Sequence, residues 1–361
     1  MPFIFPVSDH CDGQHFTNPP LPSAWQPAPR PPAWPDEPAP EISSAIRRRR
    51  GIRPALFLRW MLSMVRDENP PRICDPAPVG DPHDLPEAGA VSVTMIGHCT
   101  FLLRFRQKDG GTLTILTDPI FSERCSPFSF FGPKRFRAPG RHLEDLPKID
   151  LLLISHCHYD HLDLPSLRRI ASRDNPVTVT PLNNGEILRK AGLTRIAEAD
   201  WWQTIRMGDA GITCTPARHF AQRTPWDAAK RLWGGFMLRI PQAGDKPPLS
   251  VFFAGDSAHG PHWRIIHDRL GPPDLALLPI GAYAPRAFLK AVHADPVEAV
   301  AAFQALQARR GIPMHYGVFP LSREPLGEPE RCLADTVAWA GIAPDRFAPM
   351  AFGETREIRF D

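Results

Sequence analysis

The densest chemistry in this chain is the run Ser155-His156-Cys157-His158-Tyr159-Asp160-His161-Leu162-Asp163, which follows the apolar stretch Leu151-Leu152-Leu153-Ile154. In an extended backbone alternate side chains share a side. His156 and His158 therefore present their imidazoles together, while Cys157 turns the other way, toward the core. Asp160 and His161 come at the next bend and aim at an adjacent point. Three imidazoles and a carboxylate within six residues suit Zn²⁺ or iron, because Mg²⁺ and Ca²⁺ prefer all-oxygen shells. Packing alone supplies no reason for such a run.

One segment cannot complete two metal shells. Three further residues stand just beyond strand-like or apolar runs: His219 after residues 212–216, Asp256 after 251–254 and His315 after 311–314. Singly, such a histidine is more often a satisfied core residue and such an aspartate a helix cap. With the dense run they make five His and two Asp, enough for two metal ions with one carboxylate bridging. Ligands at the ends of several strands converge on one edge of a sheet core, where loops carry chemistry on a rigid base.

The elements that must position them can be traced by periodicity. Residues 91–95 alternate as a half-buried strand does, and 101–105 and 112–116 follow, joined by the turn signal Asp109-Gly110-Gly111. Residues 151–154, 251–254 and 275–278 are short apolar runs expected to be buried strands, and 177–179 and 212–215 also suggest strands. Asp163 is placed to cap a helix over 164–171 with Pro165 in its first turn, and 186–190 suggests another helix. Pro296 to Arg310 gives the clearest helical spacing, through Val297, Val300, Ala301, Phe303 and Leu306. Strands that open as a meander and later alternate with helices predict mixed α/β layers rather than one doubly wound sheet.

Composition bounds the rest. Of 361 residues 44 are proline, and twelve of these fall in the first 40. That opening stretch cannot nucleate a helix; an extended or disordered arm and an ordered strap along the domain surface are both open. Arg47-Arg48-Arg49-Arg50 then leads into apolar residues interspersed with Arg53, Arg59 and Arg66. A segment of this kind over 46–66 either docks an apolar helix face on the core or lies on an anionic membrane surface. The expected organisation is a proline-rich extended arm over 1–45, a basic and apolar helix with linker over 46–87, and a catalytic domain over 88–361. No apolar run reaches the ~18 residues of a membrane span, and no secretory signal is visible. Seven scattered cysteines without a C-x-x-C pair point to a reducing, cytoplasmic setting, with peripheral contact at the inner membrane face left open. A formal charge of +3 is too small to imply a nucleic-acid partner.

The H-x-H-x-D-H run resembles the signature of the metallo-β-lactamase superfamily. Within it the sequence is most similar to the N-acylphosphatidylethanolamine-hydrolysing phospholipases D and their bacterial relatives. The shared words include Gly97-His98, Thr117-Asp118-Pro119-Ile120-Phe121, Gly132-Pro133-Lys134-Arg135, Thr215-Pro216-Ala217-Arg218-His219, Phe252-Phe253-Ala254-Gly255-Asp256, Pro279-Ile280-Gly281-Ala282-Tyr283, His293-Ala294-Asp295-Pro296 and His315-Tyr316-Gly317. The similarity covers residues 88 to 361 and departs from the usual pattern at Met95, Cys157, Phe220 and Tyr316.

This resemblance implies an α+β or α/β protein with a four-layer αββα sandwich, carrying a proline-rich N-terminal extension and two zinc ions at one edge. It implies that His156, His158 and His219 hold one zinc, that Asp160, His161 and His315 hold the other, and that Asp256 bridges them. It further marks Asp160 and His293 as catalytic. A hydroxide bridging the metals would attack phosphorus, with His293 orienting the phosphate or protonating the leaving oxygen. Asp118 is expected to accept a hydrogen bond from a ligand imidazole, and Lys134, Arg135 and Arg223 to meet an anionic substrate. The expected activity is phosphodiester hydrolysis of phospholipase D type on N-acyl phospholipid-like substrates. A lactonase or other ester hydrolase on the same site is the alternative, ahead of a membrane-surface module or a nuclease.

Overall fold

The computed structural model describes residues 8–32, 34, 72–242 and 246–360. The basic segment over 46–66 lies outside the described residues. Strands β1 (Ala90–Gly97), β2 (Thr100–Arg106) and β3 (Thr112–Thr117) form an antiparallel meander. The chain then adds β4 (Leu151–Leu153), β5 (Val177–Pro181) and β6 (Ile196–Ala199), each parallel to the strand before it. The last strand, β13 (Thr355–Arg359), returns to close the outer edge of β1, giving the order β13-β1-β2-β3-β4-β5-β6. A second sheet starts with the antiparallel strands β7 (Thr204–Met207), β8 (Ala210–Thr215), β9 (Gly235–Ile240) and β10 (Leu249–Phe253). It continues in parallel through β11 (Leu275–Pro279) to β12 (Arg310–Met314).

Every residue of β1, β10 and β11 is buried, so these strands are covered on both faces, as strands between layers must be. The helices supply the cover: α1 (Leu164–Arg173), α2 (Gly185–Lys190), α3 (His262–Leu270), α4 (Arg286–Leu289), α5 (Pro296–Ala305) and α6 (Glu328–Trp339). Helix α5 packs on β11 and against α3 and α6, and α2 packs on β6. One hydrophobic core joins both sheets, from Phe101 and Phe105 through Phe236, Phe252 and Phe253 to Phe347. Two mixed sheets with helices form the expected sandwich.

Asp163 caps α1, its side chain accepting from Ser166 N, and Pro165 lies in the first turn as the sequence predicts. The helix expected over 296–310 is shorter. It begins at a capping box made by Asp295 and Glu298 and stops at Ala305. Gln307 takes a φ of 51°, and Arg310 pairs with Leu275 to start β12. Helical spacing persists in the sequence up to Leu306, but the β11 ladder captures the residues that follow.

Strand direction explains why the ligand-type residues meet. In the first sheet β1, β3 and β4 run the same way, because β2 is antiparallel to both of its neighbours and β4 is parallel to β3. In the second, β8, β10 and β12 share a direction, since β9 is antiparallel to β8 and to β10. The C-terminal ends of these six strands deliver His98, Asp118, the 155–163 loop, His219, Asp256 and His315 to one edge.

The described part of the proline-rich arm is a strap on the domain surface. Phe16 is buried in the core, its N–H donating to Ala229 O (2.8 Å). His10 stacks on Trp201, with 4.3 Å between ring centroids.

Candidate metal centre

Beyond β4 the chain leaves the strand, already bends at Cys157 and His158, short of the extended run that the sequence suggested, and then turns. His158 O accepts from His161 N (3.2 Å) and from Leu162 N (2.9 Å). Arg223 braces this turn. Its Nη1 donates to Cys157 O (2.8 Å) and Leu162 O (2.9 Å), and its guanidinium lies 3.9 Å from the centre of the Tyr159 ring. On the facing sheet, β10 is followed two residues after its end by Gly255, whose φ is 59°. A Cβ there would stand 2.8 Å from both Gly234 O and Ser155 Cβ, so glycine lets Asp256 approach the ligand loop.

The nitrogens fall into two sets. Those of His156, His158 and His219 converge within 4.8 Å of one another, as do ligand atoms of His98, Asp160, His161 and His315. Asp256 Oδ2 lies between the sets. It is 3.1 Å from Nε2 of both His161 and His315, 3.7 Å from His219 Nε2 and 3.9 Å from His156 Nε2. Asp160 Oδ2 stands 3.2 Å from His161 Nε2 and 3.3 Å from His315 Nε2.

Groups around the centre fix several of the rings. Asp118 Oδ2 accepts from His161 Nδ1 (2.7 Å), and Asp118 Oδ1 accepts from Ser155 N (2.8 Å). Val292 O accepts from His219 Nδ1 (2.8 Å), and Ser155 Oγ lies 2.9 Å from His156 Nδ1. With Nδ1 protonated in each, the Nε2 lone pairs point into the centre.

The donor set fits cations. His156 Nε2 and His158 Nδ1 are 2.8 Å apart, a separation that needs either a shared proton or a shared positive ion. Asp256 Oδ1 and His161 Nε2 are buried without an aligned hydrogen-bond partner. Burial pushes against ionisation of Asp256, yet His161 and His315 hold its carboxyl well below the ordinary range. Burial likewise opposes charge on His315, but Asp256 and Asp160 raise it to about 9. His158 is lowered to about 3 by burial and by His219. The two carboxylates thus favour positive charge at His161 and His315, while burial disfavours it at His156, His158 and His219. Metal ions would satisfy the carboxylates and all the imidazole lone pairs at once.

His293, beyond α4, lies at the border of the centre. Its Nδ1 is 3.9 Å from Asp256 Oδ2, and its ring is 5.0 Å from that of His219. The basic residues expected at the substrate are occupied otherwise. Arg135 is buried, donates from Nε to Ser122 O (2.9 Å) and from Nη2 to Ile120 O (3.0 Å), and lies over the Phe319 ring. Lys134 faces Glu123 at 3.7 Å. Arg223 holds the ligand loop as described. None of the three is brought among the histidines.

His98 is the residue that the sequence reading passed over. It follows β1 with a φ of 58°, its Nε2 lies 2.9 Å from Asp160 Oδ2, and its carbonyl accepts from His315 N (3.1 Å). Burial and the neighbouring His315 lower its pKa to about 4. It is therefore neutral and donates to the Asp160 carboxylate. Its position just past a strand end is the same signal that singled out His219 and His315.

Residues 114–316 match the model of the Beta-lactamase superfamily domain. The N-acyl-phosphatidylethanolamine-hydrolyzing phospholipase D 1 of Caenorhabditis elegans is 34% identical over 249 residues, 66% of this chain and 67% of that one. The mitochondrial N-acyl-phosphatidylethanolamine-hydrolyzing phospholipase D of Saccharomyces cerevisiae is 34% identical over 243 residues, 66% of this chain but 51% of its own length. Among solved structures, the metallo hydrolase Igni18 of the archaeon Ignicoccus hospitalis superposes with a TM-score of 0.56 at 25% identity, covering 75% of this chain and 100% of that one.

Proposed function

This chain belongs to the metallo-β-lactamase superfamily of metal-dependent hydrolases, and from that premise we propose that it is a dinuclear zinc phosphodiesterase of phospholipase D type acting on N-acyl phospholipid-like substrates. The observation that carries the dinuclear reading is the place of Asp256 Oδ2, within 3.9 Å of Nε2 atoms from both ligand sets. His156, His158 and His219 would hold one ion, Asp160, His161 and His315 the other, and Asp256 would touch both. The substrate class is supported by the names of the two relatives.

When bound, the two ions would supply positive charge facing phosphoryl oxygens and a water whose pKa falls from 15.7 toward about 7. The chain's own residues do the rest. Asp118 and Ser155 fix the imidazoles, so the site is organised before substrate arrives. His98 donates to Asp160 Oδ2 and so holds that carboxylate beside His161 and His315. Burial and the neighbouring imidazoles hold His293 well below the ordinary histidine range. A neutral His293 suits the role of hydrogen-bond donor to a phosphoryl oxygen better than that of acid to the leaving group. Membrane contact through residues 46–66 would add to the capture of a lipid substrate, and no nucleic-acid partner is proposed.

The test is a panel of N-acyl phospholipids, simple phosphodiesters, lactones and RNA in ¹⁸O-water with zinc-loaded protein. The reading expects ¹⁸O on phosphorus and a free N-acylethanolamine. Turnover of lactones alone would reverse it in favour of the ester-hydrolase alternative.

A further inference from the structure

The N-terminal strap reaches the metal centre at two points that the catalytic domain does not itself complete. The first is His219. This residue lies beyond the end of β8, where the sheet ladder no longer pairs its backbone. Asn18 pairs with it instead. Asn18 Nδ2 donates to His219 O (2.7 Å), and Asn18 Oδ1 accepts from His219 N (3.2 Å). One residue earlier, Arg218 Nη1 donates to Pro19 O (2.8 Å). With Nδ1 tied to Val292 O, His219 is fixed at both peptide groups and at its ring.

The second point is the loop that carries His293. Arg286 donates from Nη1 to His293 O (2.9 Å) and from Nη2 to Glu298 Oε2 (2.7 Å). The buried carboxylates Asp295 and Glu298 flank it, with Asp295 Oδ2 3.3 Å from Arg286 Nε. Arg30 of the strap enters here. Its Nη2 lies 2.7 Å from Asp295 Oδ2 and 3.3 Å from Glu298 Oε1, and its side chain is 11% exposed. Two guanidiniums thus face two buried carboxylates, and Lys290 adds a further positive charge near Glu298. A buried carboxylate stripped of its partner is costly, so removing Arg30 would unsettle both the α5 capping box and the loop before it.

We propose that residues 8–32 form an integral wall of the active site, in which Asn18 positions the metal ligand His219 and Arg30 positions the loop bearing His293. This rests on the reading of His219 as a ligand. Proline suits the task, because fixed φ angles let the strap cross two loops without secondary structure of its own. Partners that orient a metal ligand typically change metal affinity 10–100-fold. Asn18 acts through the ligand's backbone, so a change of about tenfold is expected.

The experiment uses the full chain and measures zinc affinity by competition with a chromophoric chelator. Asn18→Ala should weaken one of the two zinc equivalents by about tenfold and leave the other unchanged. Asn18→Asp, which keeps the acceptor for His219 N–H, should fall between that variant and wild type. Arg30→Met should keep both equivalents while lowering kcat/KM, with partial rescue by Arg30→Lys. His219→Ala is the reference and should lose one equivalent. If His219→Ala does so while Asn18→Ala and Asn18→Asp bind zinc as wild type does, the strap is packing alone and the inference is overturned. If His219→Ala itself binds both zincs normally, the ligand assignment falls, and the inference with it.

Discussion

Replacing Asp118 by Asn tests how the ligand imidazoles are held. Asp118 is fully buried and is not among the proposed metal ligands. It accepts from Ser155 N (2.8 Å), Ser155 Oγ (2.5 Å) and His161 Nδ1 (2.7 Å). Asparagine keeps Oδ1 for Ser155 N but puts an amide NH₂ where Oδ2 stood. Ser155 Oγ can turn to accept from it, but His161 Nδ1–H then faces another donor. Relief requires the imidazole to move its proton to Nε2, which removes the lone pair aimed at the centre. The lost bond joins a charged acceptor to a buried donor, a class worth roughly 1.5–3 kcal/mol. That corresponds to about 10–100-fold in metal affinity, the range typical of partners that orient metal ligands. The assay is zinc competition with a chelator, alongside circular dichroism to establish the fold. One zinc equivalent should weaken by about 100-fold, the upper end of that range, and turnover should fall with it. Retention of both equivalents within about twofold, in a folded D118N protein, would falsify the reasoning, since it leaves Asp118 no part in setting the His161 tautomer.

Three further outcomes follow from the geometry. His98→Phe removes the donor to Asp160 Oδ2 and should lower kcat/KM by about 10–100-fold in a folded, zinc-loaded protein; unchanged kinetics would leave His98 no role. For strap docking, burial opposes charge on His10, but its hydrogen bonds to Asp200 and Asp9 outweigh this and raise its pKa above 6.5. The stability it adds is complete below 6.5 and lost as pH climbs through the folded value, so the wild-type Tm should fall relative to that of His10→Phe on going from about pH 6 to 9. Gly255→Ala combines the 59° φ with a Cβ 2.8 Å from Gly234 O; chemical denaturation should show a loss of more than about 1 kcal/mol, and equal stability would mean that the turn is not constrained.

Much of this centre was legible in sequence because metal ligation needs particular atoms in a dense local pattern. The H-x-H-x-D-H run, and the habit of ligands to follow strands, pointed to seven residues that the two sheets deliver to one edge. Asp118 was expected as an acceptor for a ligand imidazole, and it accepts from His161 Nδ1. The roles of the arginines were not legible. Nothing in a sequence tells whether a guanidinium meets solvent, a substrate or a carbonyl, and Arg135 and Arg223 proved to be braces for backbone. Strands β6 and β7 are only four residues long, too short for a pattern to stand out, and β13 pairs with β1 from the far end of the chain. The strap contacts of Asn18 and Arg30 span separations of about 200 residues or more, which no local pattern encodes.

The central claim is that two ions held around Asp256 act together on a phosphodiester. It is tested most directly by titrating metal-free protein with zinc while following release of N-acylethanolamine from N-acylphosphatidylethanolamine. The account predicts negligible release until the second equivalent fills, then full turnover at two zinc ions per chain. Full turnover at one equivalent, or no release at any zinc level from protein that hydrolyses lactones, would contradict it.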